Sequence, residues 1–338
     1  MTYIIIWLIL TAGYIALKEK YYWRFFAIII SLFSGFRYFI GQDFKSYYDA
    51  IISNTQVGHE IGLLYIFNFV RYFGYPQLFF IITSFFIITS FAYIIKKYSI
   101  DTFTSTLVFM AIPTFFVFSL CIIRQYIAMS IILLATPFIF QKKPLFFLIA
   151  VFIAQLFHST SLIALLLYPL YYLRINRVWS YGIITSSFFI GFLLLPIIEY
   201  VFPMYWRYTT SIADGAGGGE LNRFLFLAVA FLIIFFEDKS FRDNKPVNFF
   251  YNAFLIGVCI YNAFSNNKFI GPRGSLYFTM FLPLLVPFYL QNKEQTKLVE
   301  RRRFAIYILL FLIYIISVFI GYWKTGRSSI FPFVFSFE

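Results

Sequence analysis

Long apolar runs follow one another along almost the whole chain, and this succession limits the fold more than any other feature. Only 12% of the 338 residues are charged, whereas 61% are hydrophobic. A water-soluble domain carries about 25% charged residues, because polar groups must cover its surface. The runs are continuously apolar and lack the two-residue alternation of a membrane β-barrel. The sequence therefore predicts an all-α, polytopic integral membrane protein.

About twelve of these runs are candidate transmembrane helices, each judged against the roughly 20 residues that cross a bilayer. The runs are 3–17, 25–40, 77–95, 103–120, 122–140, 145–157, 159–173, 179–198, 224–236, 247–264, 275–290 and 304–321. Residues 60–73 also show a helical pattern, but they reach only about 21 Å of a hydrocarbon core of about 30 Å. We predict that this segment is a short interfacial or re-entrant helix. We expect residues 1–338 to form a single transmembrane domain.

Basic residues occupy every second connection between the predicted spans. These connections hold 17 of the 27 lysines and arginines, and such an excess marks cytoplasmic loops. With twelve spans, both termini then lie on the outer side of the membrane. The net charge of +13 therefore reflects orientation in the membrane, and we predict no nucleic-acid partner.

Four arginines lie at or just inside the outer ends of predicted spans. They are Arg37, Arg124, Arg223 and Arg273. An arginine at this depth costs several kcal/mol unless it snorkels to the interface or faces a polar cavity. Guanidinium groups bind phosphate in bidentate fashion, so we predict a shared site for a lipid-linked diphosphate. Interfacial snorkelling is the alternative for each arginine alone. The candidate active-site side consists of the outer loops 41–76, 199–223 and 265–274.

Short motifs stand in or beside these outer segments. Gly41 can end a helix in a left-handed turn, and a simple helix stop with Asp43 as N-cap is the alternative reading. That alternative does not explain the preceding Arg37. The motifs in chain order are Arg37 with Gly41, Asp43 and Tyr47; Glu60 with Gly62; Arg124 and Gln125 with Ala128; Phe157 and His158 with Thr160; and Arg273 ahead of Tyr277 and Phe278.

In this order the motifs resemble the EpsG/Wzy family of bacterial polymerases, which assemble O-antigen, capsule and exopolysaccharide. The resemblance covers about residues 35–290 and implies a membrane glycosyltransferase of polysaccharide biosynthesis. It implies a location in the bacterial cytoplasmic (inner) membrane, with the active site on the periplasmic or extracellular side. The implied reaction transfers the growing glycan from undecaprenyl diphosphate to the non-reducing end of an incoming lipid-linked repeat unit. The implied partners are the two lipid-linked glycans, membrane lipid and, as candidates, a chain-length regulator and a flippase.

The resemblance and the side-chain chemistry together suggest individual roles. His158 is the first candidate general base, because imidazole accepts a proton near neutral pH; Asp43 is the second. A histidine bonded to Ser159 or Thr160 at the interface is the alternative for His158. The predicted diphosphate ligands are Arg37, Arg124, Arg223 and Arg273. The candidate sugar-binding residues are Tyr47, Glu60 and Gln125.

We expect an activity that requires neither a metal nor a cofactor. The outer carboxylates form no close Asp-x-Asp pair of the kind that binds a metal–diphosphate complex. His59 and Glu60 begin like a zinc-protease motif, but Leu63 stands where the second histidine would be.

Three other activities remain as alternatives at this point. A flippase for the same lipid-linked sugar would need cations along the depth of the bundle, whereas these arginines gather at one end. A membrane acyltransferase would favour a histidine deep in a span or on the acyl-donor side. An O-antigen ligase shares the chemistry, and only the order of the motifs favours the polymerase.

Overall fold

The structure is a computed structural model, and it describes residues 2–55, 60–201, 219–236, 243–265, 270–290, 297–325, 330 and 333–336. The described residues form helices and no strand, apart from an isolated β-bridge between Arg37 and Phe335. The predicted all-α class is therefore confirmed. Among the described helices, Gln77–Tyr98 and Ile123–Phe140 are long and apolar enough to cross a membrane. The number of about twelve spans stays a prediction.

Sixteen α-helices and one 3₁₀ helix, Ser159–Leu166, lie within the described residues. The α-helices are α1 Thr2–Ala16, α2 Glu19–Gly35, α3 Phe44–Ile52, α4 Ile61–Tyr72, α5 Gln77–Tyr98, α6 Thr102–Ala111, α7 Phe116–Cys121, α8 Ile123–Phe140, α9 Pro144–Gln155, α10 Leu167–Leu170, α11 Arg177–Val201, α12 Gly219–Phe235, α13 Lys245–Ala263, α14 Ile270–Thr279, α15 Leu282–Leu290 and α16 Lys297–Thr325. The chain divides into two compact units. One comprises Met1–Leu162 with Leu290–Glu338, and the other comprises Ile163–Tyr289.

Some predicted spans are interrupted in the structure. The apolar run 103–120 is divided between α6 and α7. Pro113 explains this break, because a proline disfavours helical geometry in the residue before it, and Ile112 is extended with φ −81° and ψ 117°. The run 159–173 forms the 3₁₀ helix and the short α10 rather than one continuous α-helix.

The predicted helix at residues 60–73 is present as α4. Its 12 residues are too few to span a bilayer. Arg71 in its last turn donates hydrogen bonds to the carbonyl oxygens of Ala50 and Ile51, at 2.8 and 3.0 Å. These carbonyls belong to the end of α3, where a cation is favourable. Arg71 therefore ties α4 to α3, while the position of α4 in the membrane stays a prediction.

The first unit is built around α2 and α5, which pack along each other. The end of the chain also belongs to this unit. Phe333 stacks on Phe33 of α2 with ring centroids 4.1 Å apart. The amide of Tyr38 donates to the carbonyl of Val334 at 2.9 Å. Phe333 and Val334 thus lie against the end of α2 and the segment that leads from it into the first loop.

The second unit is organised around α13, against which α11, α12 and α14 pack. Asn252 of α13 is fully buried and donates to the carbonyl oxygens of Leu170 and Leu173, at 3.0 and 2.8 Å. These carbonyls end the α10 turn, and buried carbonyls need such partners. Asn252 thereby fixes the turn that follows α10 on α13.

Candidate functional site

Five polar side chains of the first unit form a continuous series of contacts. The Tyr47 hydroxyl donates to Asp43 Oδ2 at 3.5 Å and accepts a hydrogen bond from Arg124 Nε at 3.0 Å. Arg124 Nη1 donates to Glu60 Oε2 at 2.6 Å. The other oxygen of Glu60, Oε1, lies 3.4 Å from His158 Nδ1. Four separate chain segments thus contribute to one polar cluster, which we call the Arg124 cluster.

Gly41 places Asp43 and Tyr47 in the Arg124 cluster. Its φ of +102° lies in the left-handed region that favours glycine. A Cβ at this position would lie 2.0 Å from the backbone oxygen of Leu120, so no larger residue fits. Asp43 occupies the N-cap position of α3, but its side chain does not cap the helix. The structure therefore does not support the reading of Asp43 as a simple N-cap.

Gly62 brings Glu60 to His158. Its amide donates to the carbonyl oxygen of Leu156 at 2.8 Å, and a Cβ on Gly62 would meet that oxygen and the ring of Phe157, each at 2.8 Å. Only glycine lets the start of α4 approach the end of α9 this closely. Because His158 follows Phe157, the close approach places it beside Glu60.

Gly62→Ala is expected to destabilise the protein by about 1–3 kcal/mol, because overpacking forces neighbouring atoms to move. The neighbours are a backbone oxygen and an aromatic ring, and the oxygen in particular cannot rotate away as a flexible side chain would. Thermal unfolding of the purified protein in detergent measures the change.

Gly182→Ala is the matched control for this substitution. Gly182 lies inside α11, and a Cβ there would meet no heavy atom within 4 Å. Alanine favours a helix over glycine by up to about 1 kcal/mol, so this variant should be neutral or more stable. Equal destabilisation by both substitutions would contradict the packing argument for Gly62.

Tyr47 is 2% exposed, and its hydroxyl is hydrogen-bonded to both Arg124 and Asp43. Burial raises the pKa of Tyr47 in spite of the neighbouring Arg124 charge. The phenol therefore stays protonated and can donate to Asp43 while it accepts from Arg124. This geometry supports a positioning role for Tyr47, and the sugar contact predicted for it stays untested.

Glu60 lies between a permanent cation and a histidine. Burial alone would raise the pKa of its carboxyl, but the contacts with His158 and Arg124 outweigh burial and lower the pKa to about 2. Glu60 is therefore ionised at every pH at which the protein would be assayed. The sequence motif showed Glu60 and Gly62 together, but no sequence signal indicated that Glu60 bridges Arg124 and His158.

His158 lies in the turn between α9 and the 3₁₀ helix, and its side chain is 12% exposed. Among the described residues, neither ring nitrogen has a hydrogen-bond partner, so the alternative bond to Ser159 or Thr160 is not observed. Nδ1 faces Glu60, while Nε2 is buried and makes no hydrogen bond to any residue that the structure describes. This arrangement suits a base that one carboxylate orients.

The comparison with known families agrees with this geometry. The model of the EpsG family matches residues 20–335, nearly the whole chain and every segment of the Arg124 cluster. The chain belongs to the EpsG family. EpsG proteins are membrane proteins with a polysaccharide-polymerase type of function. Membership of this family suggests lipid-linked glycans as the substrates. No curated protein and no solved structure gives a match to this chain.

Arg37, the first residue of the first EpsG-like motif, contacts residues that do not belong to the Arg124 cluster. Its guanidinium is 1% exposed and donates to the Ser34 carbonyl, to the Ile40 carbonyl at 3.2 Å and to Ser84 Oγ at 2.9 Å. The group also lies over the ring of Phe80, 5.2 Å from its centroid. These contacts hold the end of α2 against α5, so the diphosphate contact predicted for Arg37 finds no support in this geometry.

The other predicted residues of this EpsG protein lie in different surroundings. Gln125 follows Arg124 in α8 and is 1% exposed. In the second unit, Arg223 pairs with Glu220 at 2.7 Å and lies over the Phe224 ring, 5.0 Å from its centroid. Arg273 lies half-buried in α14. The diphosphate contacts of the latter two arginines stay predictions.

Parts of the predicted active-site side lie outside the described residues. These parts are residues 56–59 with His59, residues 202–218 and residues 266–269. Among the residues that the structure does describe, no group of three or more histidines, cysteines or carboxylates could hold a metal ion. The metal independence of this EpsG protein stays a prediction.

Proposed function

We propose that this EpsG-family protein polymerises undecaprenyl-diphosphate-linked oligosaccharide repeat units on the outer face of the bacterial cytoplasmic membrane. The growing glycan moves as a block to the non-reducing end of the incoming unit, and undecaprenyl diphosphate is released. The observation that carries the proposal is the Arg124 cluster, in which Glu60 contacts both a partly exposed guanidinium and the imidazole of His158. The family match over residues 20–335 supports the same conclusion.

The proposed chemistry needs a group that neutralises the leaving diphosphate and a base that removes a proton. The bond between the donor sugar C1 and the diphosphate oxygen breaks, and C1 forms a bond to the acceptor hydroxyl oxygen. The acceptor proton passes to His158 Nε2, while the diphosphate leaves with the electron pair. Arg124, with a side chain 30% exposed, supplies positive charge for the oxygen that becomes more negative.

Asp43 is the second candidate for the base in this proposal. Its Oδ2 lies 3.5 Å from the hydroxyl of Tyr47, which itself contacts Arg124. Asp43 is therefore part of the same cluster, at the end opposite His158. It either accepts the proton or orients a sugar hydroxyl.

The proposal includes the predicted topology and partners. Both termini and the Arg124 cluster lie on the periplasmic or extracellular side. The donor and the acceptor are both lipid-linked glycans, and Arg223 and Arg273 remain proposed diphosphate ligands. A flippase that delivers the repeat units and a regulator of chain length are the proposed protein partners.

Polysaccharide gel profiles from a deletion strain test this function. Loss of the polymer ladder with one repeat unit retained is expected, because delivery of units continues and only their polymerisation stops. Restoring the wild-type gene should restore the ladder. Loss of the ladder together with the single repeat unit would contradict the proposal and would instead indicate a ligase or a flippase.

A further inference from the structure

We propose that Glu60 is a positioning residue that couples diphosphate binding at Arg124 to proton uptake by His158. This inference rests on the proposed function and deepens it. It replaces the sugar contact that the sequence suggested for Glu60. The carboxylate contacts both functional groups at once, so a change at one of them is felt by the other.

The two oxygens of Glu60 serve different partners. Oε2 accepts a hydrogen bond from Arg124 Nη1 at 2.6 Å, and Oε1 lies 3.4 Å from His158 Nδ1. The Glu60 side chain is 22% exposed, so both contacts are partly shielded from water. The remaining charged group of the cluster is Asp43, whose Oδ2 contacts the same Tyr47 hydroxyl as Arg124 Nε.

The first consequence concerns His158. A carboxylate beside Nδ1 favours the tautomer in which Nδ1 carries the proton, which leaves the Nε2 lone pair to accept one. Once Nε2 has taken the acceptor proton, the same carboxylate stabilises the imidazolium. Contacts of this kind often tighten only when the substrate is bound, and the 3.4 Å separation leaves room for this.

The second consequence concerns Arg124. A diphosphate that arrives at Arg124 meets the negative charge of Glu60 beside the cation. Like charges repel each other at short range, so the negative charge of Glu60 weakens diphosphate binding. When His158 is protonated, its charge offsets that of Glu60 and the diphosphate is held more tightly. Loss of the proton to water restores the repulsion and promotes release of the product lipid diphosphate.

Glu60→Gln tests this coupling because it keeps the size of the side chain and removes its charge. We expect undecaprenyl diphosphate in detergent micelles to bind the variant about five- to tenfold more tightly, a coupling of ordinary size. We expect kcat to fall at least about tenfold, because His158 loses its orienting charge and the product leaves more slowly. Glu60→Asp keeps the charge and should recover much of the wild-type affinity.

A purely structural role for Glu60 predicts a different result. Removal of a structural contact would weaken binding and lower kcat together, with a lower unfolding temperature. Weaker binding of undecaprenyl diphosphate to Glu60→Gln, or an unchanged kcat, would overturn the inference. The proposed function would still stand in that case if Arg124 and His158 variants lost activity. A wild-type protein without polymerase activity would instead overturn the proposed function itself.

A second measurement does not depend on the folding of a Glu60 variant. Calorimetry in two buffers of different ionisation enthalpy gives the number of protons taken up when undecaprenyl diphosphate binds. We expect more uptake by the wild type than by His158→Gln, because the bound diphosphate favours the protonated imidazole. The His158→Gln value accounts for protons taken up by the phosphates. Equal uptake by the two proteins would overturn the coupling.

Discussion

Arg124→Lys lowers the rate of glycan transfer by about 10²–10³-fold, the loss that follows removal of a donor to a developing negative charge. Lysine keeps the positive charge but has no planar fork. It therefore cannot donate to the Tyr47 hydroxyl, to Glu60 and to a diphosphate oxygen in the geometry that Arg124 provides. The rate is measured as elongation of lipid-linked repeat units by the purified protein in liposomes.

Arg24→Lys is the matched control for this variant. Arg24 belongs to the same unit, is exposed, and lies in α2 with its guanidinium 5.4 Å from the centroid of the Trp23 ring. The same change of side chain there should leave the transfer rate within about twofold of wild type, since surface substitutions have small effects. A similar rate for Arg124→Lys and wild type would remove Arg124 from the proposed mechanism.

His158→Gln is expected to lower kcat by about 10²–10⁴-fold, the usual contribution of a general base. Glutamine keeps a polar side chain but cannot accept the acceptor proton. The value of kcat is measured as elongation of lipid-linked repeat units by the purified protein in liposomes.

Two further variants make this prediction specific. Ser159→Ala removes an exposed hydroxyl directly after His158 and should leave the rate near that of the wild type. Asp43→Asn should lower the turnover less than His158→Gln does if His158 is the base. Near wild-type turnover by His158→Gln, together with a large loss of turnover in Asp43→Asn, would transfer the base role to Asp43.

The helical class and the short helix α4 follow from local properties that the sequence displays. Apolar runs with few charges predict helices, and the 12 residues of α4 lie inside the predicted segment 60–73. The motif residues Arg124 and His158 were also recognisable as candidates, because a guanidinium and an imidazole are unusual in apolar surroundings. Their chemical type could therefore be interpreted without a structure.

The contacts between these residues could not be predicted in the same way. Glu60, Arg124 and His158 are separated by more than 30 residues at each step, and only the close approach allowed by Gly62 brings Glu60 to His158. Arg37 shows the opposite case, because its position at a helix end suggested a diphosphate ligand. In the structure its guanidinium is satisfied internally by α2 and α5. Which side chains contact each other depends on how the helices pack, and a local sequence pattern carries no information about that packing.

The most direct test counts two products of the wild-type protein in the same reaction. Purified protein in liposomes receives undecaprenyl-diphosphate-linked repeat units, and both the new glycosidic bonds and the released undecaprenyl diphosphate are quantified. The proposed block transfer predicts one undecaprenyl diphosphate for each bond, with both products formed about 10²–10³-fold more slowly by Arg124→Lys. Movement of intact lipid-linked units across the bilayer without new bonds would contradict the proposal that this protein is a polymerase.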